Sequence, residues 1–111
     1  MPRVSHVHYG MRDLAAAVRW FQDVLLATPA VNNERMAWFR FEDFGVILDA
    51  ATVDSPATLG FDSRDCDADY QAVISRGAES IEAPANRPWG SRAAYVRGPG
   101  SLIVEIEQRL M

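Results

Sequence analysis

Lysine is absent from this sequence; all eleven basic residues are arginine. A lysine Schiff base is therefore excluded as a route to covalent catalysis. Cysteine is nearly absent too. Cys66 stands alone, so no internal disulfide can form and a reducing cytoplasm is the expected setting. Basic excess is lacking as well. A formal net charge of −4 argues against nucleic acid as a partner, because phosphate binding needs a basic surface. No apolar run approaches the roughly 20 residues that a membrane span requires. The opening residues Met1-Pro2-Arg3-Val4-Ser5-His6 lack the apolar core of a secretory leader. Neither a Ser-His-Asp triad signature nor a phosphate-binding glycine loop is present.

What is present is patterned. The 111 residues, 49% of them hydrophobic, suffice for one domain with a real core and are too few for two. Near the C-terminus, Trp89 to Val96 and Leu102 to Glu107 read as two strands about the turn Gly98-Pro99-Gly100-Ser101. In the second strand Leu102, Val104 and Ile106 point one way, and Ile103, Glu105 and Glu107 the other. The apolar side is expected to pack on a helix.

From the N-terminus, Val4 to Gly10 alternates as a strand, with Val7 and Tyr9 on one face and His6 and His8 on the other. Asp13 is the expected N-cap of a helix reaching about Leu25. Its apolar stripe is Leu14, Ala17, Val18, Phe21 and Leu25, and Pro29 stops it. A short strand at Ala30 to Asn32 follows, with a turn at Asn33-Glu34. Met36 to Phe41 and Gly45 to Ala50 read as a hairpin about Glu42-Asp43-Phe44. The second half repeats this order. A strand runs from Thr58 to Ser63, and Asp65 or Asp67 caps a helix with Cys66, Tyr70, Val73 and Ile74 on its inner face. Gly77 stands at the expected left-handed C-cap. Glu79 to Ala83 is a short strand, and a Pro-rich loop leads through Pro88 to the closing hairpin.

The repetition extends to the residues. Met11-Arg12-Asp13 is echoed by Ser63-Arg64-Asp65 at an offset of 52, and Ala37-Trp38-Phe39-Arg40 by Ala94-Tyr95-Val96-Arg97 at 57. The reading is one α+β domain of two βαβββ modules, at about 3–50 and 57–108. The duplication implies a curved, eight-stranded mixed sheet around a shared cleft.

A doubled βαβββ unit resembles the vicinal oxygen chelate superfamily of glyoxalase I, bleomycin- and fosfomycin-resistance proteins and extradiol dioxygenases. Ser5-His6-Val7-His8-Tyr9-Gly10-Met11-Arg12-Asp13-Leu14 is similar to its opening strand and helix start. Trp20-Phe21-Gln22-Asp23-Val24-Leu25 is similar to its first helix, and Arg76-Gly77-Ala78 to the end of its second. Pro88-Trp89-Gly90-Ser91-Arg92 and Gly98-Pro99-Gly100-Ser101-Leu102-Ile103-Val104-Glu105 are similar to its closing hairpin. The likeness spans nearly the whole chain. The family's usual Asp-Pro-Asp-Gly turn is replaced here by Gly98-Pro99-Gly100-Ser101.

The resemblance implies a glyoxalase/bleomycin-resistance/dioxygenase fold, a small-molecule ligand and a homodimer. In metal-dependent members, four side chains hold a divalent ion such as Mn, Ni, Zn or Fe. Carried across, those positions fall on His6, Leu48, Thr58 and Glu105. Leu48 cannot ligate and Thr58 is a poor ligand, so no metal is favoured; if one binds, His6 and Glu105 hold it. Without an ion the same two residues form a hydrogen-bonded pair. By resemblance Tyr95 occupies a ligand-contacting position, with Trp38 as its counterpart. Trp38 is a pocket wall or a core residue, and the strand register decides whether Met36, Trp38 and Arg40 face the ligand. Trp89 is a lid over the site or a packing residue. Arg40 and Arg92 could clamp an anionic group. Leu48 would make the cleft floor apolar, Thr58 would be a ligand-binding residue, and Cys66 reads as structural.

Two functions compete. The first is a metal-independent binder of a small, partly aromatic molecule, like the bleomycin-resistance branch. The second is a lyase, isomerase or dioxygenase using His6, His8 and Glu105, with a metal or as proton-transfer groups.

Overall fold

The computed structural model of the protein describes residues 5–110. The expected strand start at Val4 and the leader reading of residues 1–4 lie outside the described residues. The elements run β1 (His6–Met11), α1 (Leu14–Val24), β2 (Pro29–Asn32), β3 (Met36–Phe41) and β4 (Phe44–Ala50). They continue with β5 (Ala57–Asp62), α2 (Cys66–Ser75), β6 (Glu79–Asn86), β7 (Ser91–Arg97) and β8 (Leu102–Arg109). The chain divides into two compact units, Met1–Ser55 and Pro56–Met111. Each is a βαβββ module, and the class is α+β. Strand pairing forms two mixed four-stranded sheets, β1-β4-β3-β2 and β5-β8-β7-β6, where the sequence suggests one sheet of eight. Within each module the two hairpins and the parallel pairing of its first and last strands account for all the pairing of its four strands.

In the first unit, Asp13 Oδ1 accepts the Ala16 N–H at 3.0 Å and starts α1 where its spacing predicts. The buried stripe is Leu14, Ala17, Val18, Phe21 and Val24. Val24 replaces Leu25 in it, because α1 ends at Val24 and the backbone turns left-handed at Leu26, with φ 55°. The helix lies on the sheet through Phe21, whose ring centroid is 4.8 Å from that of Phe39. Ala37, Phe39, Val46 and Leu48 complete this face, all fully buried. Burying a large apolar side chain of this kind contributes about 1.5–3 kcal/mol.

The β3–β4 turn consists of Glu42 and Asp43 alone, since Phe44 already pairs with Phe41. Register follows from that turn. Ala37 faces Leu48 and Phe39 faces Val46 on the helix side; Trp38 faces Ile47 and Arg40 faces Gly45 on the other. β1 joins in parallel and adds His6 beside Gly45 and His8 beside Ile47 to the helix-free side.

In the second unit, Asp65 is the cap, and its Oδ1 accepts the Ala68 N–H at 3.1 Å. α2 ends in a Schellman motif: the Gly77 N–H bonds Ile74 O and the Ala78 N–H bonds Val73 O, both at 3.0 Å, with Gly77 at φ 103°. Leu102, Val104 and Ile106 are buried as their alternation predicts. β6 runs to Asn86, beyond the expected Ala83. It is an edge strand with irregular register, which tolerates Pro84. A tight turn follows instead of an open loop, closed by Arg87 N–H to Ser91 O at 2.7 Å, with Gly90 at φ 91°. Among the described residues, no helix is long and apolar enough to cross a membrane.

Candidate functional site

Each sheet has one face covered by its helix and one without a helix. Chemistry-bearing residues gather on the helix-free faces, and each is described within its own unit.

In the first unit this face carries His6, His8, Trp38, Arg40, Gly45, Ile47 and Asp49. His8 Nδ1–H donates to Asp49 Oδ2 at 2.7 Å, both side chains being about half exposed. This fixes the tautomer and leaves Nε2 as the basic nitrogen. Ser5 Oγ lies 2.8 Å from His6 Nδ1, and the two imidazoles meet edge to face at 5.3 Å between centroids. Trp38 is part-buried, and its Nε1–H is buried without a hydrogen-bond partner. Arg40 is exposed. Asp49 is a residue that sequence reasoning missed. Its signal was the alternation that puts Gly45, Ile47 and Asp49 together on one face.

In the second unit the face carries Thr58, Gly60 and Asp62 from β5, Ile103, Glu105 and Glu107 from β8, and Ala93, Tyr95 and Arg97 from β7. The Tyr95 hydroxyl donates to Glu105 Oε2 at 2.6 Å. That bond, then burial, then the Glu105 charge push the phenol up to about 12. Arg87, also missed, lies with Cζ 5.3 Å from the Tyr95 ring centroid. It is held by Ala93 O at 3.0 Å and Glu82 at 3.4 Å, while its Nε is buried and unpartnered. Trp89, 60% exposed in the β6–β7 turn, donates Nε1–H to Glu107 Oε2 at 3.1 Å. Ser91 Oγ donates to the same oxygen at 2.9 Å. Glu107 borders a hollow of about 260 Å³ shared with Asp62, Ser63 and Arg109.

Two of the expected site residues lie elsewhere. Leu48 is on the helix side, fully buried beside Tyr9 and Ala37. The residue topologically equivalent to Glu105 is Ile47. Trp38 pairs with Ile47 as Tyr95 pairs with Glu105. Three residues, Pro99 to Ser101, separate Gly98 from its partner Leu102, against two between Phe41 and Phe44, so the offset of 57 before the turns becomes 58 after them. Arg92 also lies on the helix side. Its Nε and Nη2 donate to the two carboxylate oxygens of Asp67 at 2.8 and 3.0 Å, and Nη1 donates to Asn86 at 3.0 Å. It fastens α2 to the sheet. Buried Cys66 donates Sγ–H to Ile106 O at 3.4 Å, and burial raises its thiol.

Thr58 offers a neutral hydroxyl and Ile47 an alkyl chain, while Glu105 is engaged by Tyr95. Among the described residues, no three His, Cys, Asp or Glu side chains are gathered as a divalent ion requires.

These features meet their family here. Residues 3–106 match the Glyoxalase/Bleomycin resistance protein/Dioxygenase superfamily, and the chain belongs to it. Curated protein sequences yield no match. Among solved structures, a glyoxalase/bleomycin resistance protein/dioxygenase from Nocardioides is similar at 21% identity and TM-score 0.88, over 99% of this chain and 85% of that one. Lactoylglutathione lyase from Agrobacterium tumefaciens is similar at 15% identity and TM-score 0.83, over 97% and 94%. TioX from Micromonospora sp. ML1 is similar at 20% and 0.78, over 98% and 100%. At these identities the likeness is one of fold.

Proposed function

We propose that this protein binds a small, partly aromatic molecule without a metal, as a member of the bleomycin-resistance type within its superfamily. The observation that carries the reading is the equivalence of Trp38 and Tyr95. Both stand on the third strand of their modules, on the face away from the helix, opposite Ile47 and Glu105. An aromatic surface with a few fixed polar groups suits a small organic ligand. Ile47 and Thr58 in place of ligating side chains support the metal-free part. The lone buried Cys66 suits a reducing, cytoplasmic setting, and assembly as a homodimer belongs to the same reading.

The test is calorimetric titration of the stripped protein with Mn²⁺, Ni²⁺ and Zn²⁺, followed by a planar-aromatic screen read by Trp fluorescence. Metal affinity tighter than about micromolar overturns the metal-free part. Absence of any aromatic response overturns the binder.

A second reading rests on the His8–Asp49 pair. An imidazole held by a carboxylate at 2.7 Å is a ready general base, so proton transfer from a bound ligand is the enzymatic alternative. Turnover that survives His8→Gln would remove it.

A further inference from the structure

We infer that Gly45 sets the pose of Trp38, and that the resulting indole shelf, with Arg40 beside it, selects planar aromatic anions. The inference rests on the binding reading above and deepens it.

Gly45 sits in β4, a central strand paired with β3 on one side and β1 on the other. Glycine weakens a strand interior and there marks a close approach. Here the approaching group is the indole. A Cβ at residue 45 would lie 2.5 Å from Trp38 Nε1, 3.3 Å from Trp38 Cε2 and 3.2 Å from His6 Cβ. A carbon 2.5 Å from a non-bonded nitrogen lies well inside van der Waals contact, so any side chain at 45 displaces the ring. Trp38 therefore crosses diagonally over β4 toward His6 instead of standing above its partner Ile47.

That pose determines what Trp38 offers. Its Nε1–H is buried against the sheet with no acceptor, so the polar edge is closed to a ligand. What remains is ring surface, which recognises by stacking and favours a flat aromatic partner. Charge comes from Arg40, the cross-strand partner of Gly45 and two residues from Trp38 on the same face. Among the described residues the Arg40 side chain forms no hydrogen bond or ion pair. Its counterpart Arg97 pairs with Glu79 at 3.6 Å, and Arg92 is fully engaged by Asp67 and Asn86. A free guanidinium beside a stacking surface fits a carboxylate or phenolate borne on the ring.

The test compares 2-naphthoate with neutral 2-naphthamide, by calorimetry, on the full chain. The anion is expected to bind about tenfold tighter, the ratio for one charge-assisted contact at a part-exposed site. Arg40→Gln removes that preference. Gly45→Ala weakens both ligands about tenfold, as expected for a lost stacking surface, while thermal melting stays cooperative. In a Trp20→Phe, Trp89→Phe background, the emission of Trp38 shifts to the red on Gly45→Ala.

Unchanged affinity in Gly45→Ala, or an anion preference indifferent to Arg40→Gln, overturns the inference and leaves the binding reading standing. Failure of both naphthyl probes, and of every other planar aromatic, to bind wild-type protein sinks the binding reading and this inference with it. Should Gly45→Ala not melt cooperatively, Trp38→Leu removes the shelf without touching residue 45. Unaltered naphthoate affinity in that variant overturns the inference equally.

Discussion

Tyr95 and Glu105 are direct cross-strand partners, and the phenol donates to the carboxylate at 2.6 Å. A hydrogen bond this short to a charged acceptor belongs to the stronger class. It does two things at once. It occupies one oxygen of the carboxylate that a metal or a proton transfer would need, and it holds the aromatic ring upright on the face without a helix. Gly60 stands beside Glu105 on the neighbouring strand, where a Cβ would come within 3.2 Å of Oε1. The Glu105 carboxylate is therefore a support for Tyr95 before it is anything else.

That relationship is measurable by alkaline titration. In a Tyr9→Phe, Tyr70→Phe background, the absorbance of tyrosinate reports Tyr95 alone. Its midpoint is expected at about 12, and Glu105→Gln brings it back toward 10. An unmoved midpoint in the variant would assign the shift to burial. The sign for stability follows: the neutral phenol is favoured in the folded state, so its contribution is complete below pH 10 and is lost as pH rises toward 12.

Acid tests the other fixed pair. Hydrogen bonding from Arg92 holds the Asp67 carboxyl below its ordinary 3.8. A lowered carboxyl stabilises the fold above its unfolded value and loses that contribution as pH falls below it. The melting temperature of wild type should therefore drop more steeply below pH 4 than that of Asp67→Asn, a comparison made by differential scanning calorimetry. Arg92→Ala should leave aromatic-ligand affinity at neutral pH unchanged, since Arg92 faces α2. A loss of affinity would return it to the binding face.

The parts of the fold that were legible in the sequence are those decided locally. Asp13, Asp65 and Gly77 announce helix ends because their side chains or backbone freedom act within a few residues. The alternation of Leu102, Val104 and Ile106 announces a half-covered strand. Register is different. One residue more or fewer in a turn moves every later side chain to the opposite face, and the two-residue Glu42-Asp43 turn put Ile47, not Leu48, opposite Trp38. Asp49 was hidden by the same slip. Arg87 and Arg92 were illegible for another reason: an arginine side chain spans enough distance that only the folded neighbours, Tyr95 for one and Asp67 for the other, decide its role. Likewise the extension of β6 through Pro84 depends on its being an edge strand, which is a property of the topology.

The register makes its own prediction. Leu48 is fully buried beside Ala37 and Tyr9, so Leu48→Ala should destabilise the protein by about 3 kcal/mol through lost burial and a residual cavity. Denaturant unfolding measures the loss. Ligand affinity of the fraction still folded should match wild type. A mild effect, near that of an exposed leucine, would place Leu48 back on the helix-free face.

The two helix ends supply a reciprocal test. In both modules the backbone turns left-handed just past the helix, at Leu26 with φ 55° after α1 and at Gly77 with φ 103° after α2. Glycine adopts that conformation without penalty, whereas a side chain crowds the neighbouring carbonyl. Leu26 is 62% exposed, so little packing is lost with its side chain, and Leu26→Gly should raise stability by about 0.5–1 kcal/mol. Gly77→Ala should lower it by about 1 kcal/mol or somewhat more. A Cβ there would meet nothing within 4 Å, so the loss isolates the backbone term from any clash. Chemical denaturation of the two variants decides the matter. If Leu26→Gly destabilises instead, the exposed leucine is covered by something in solution, and its strained backbone is retained for that contact.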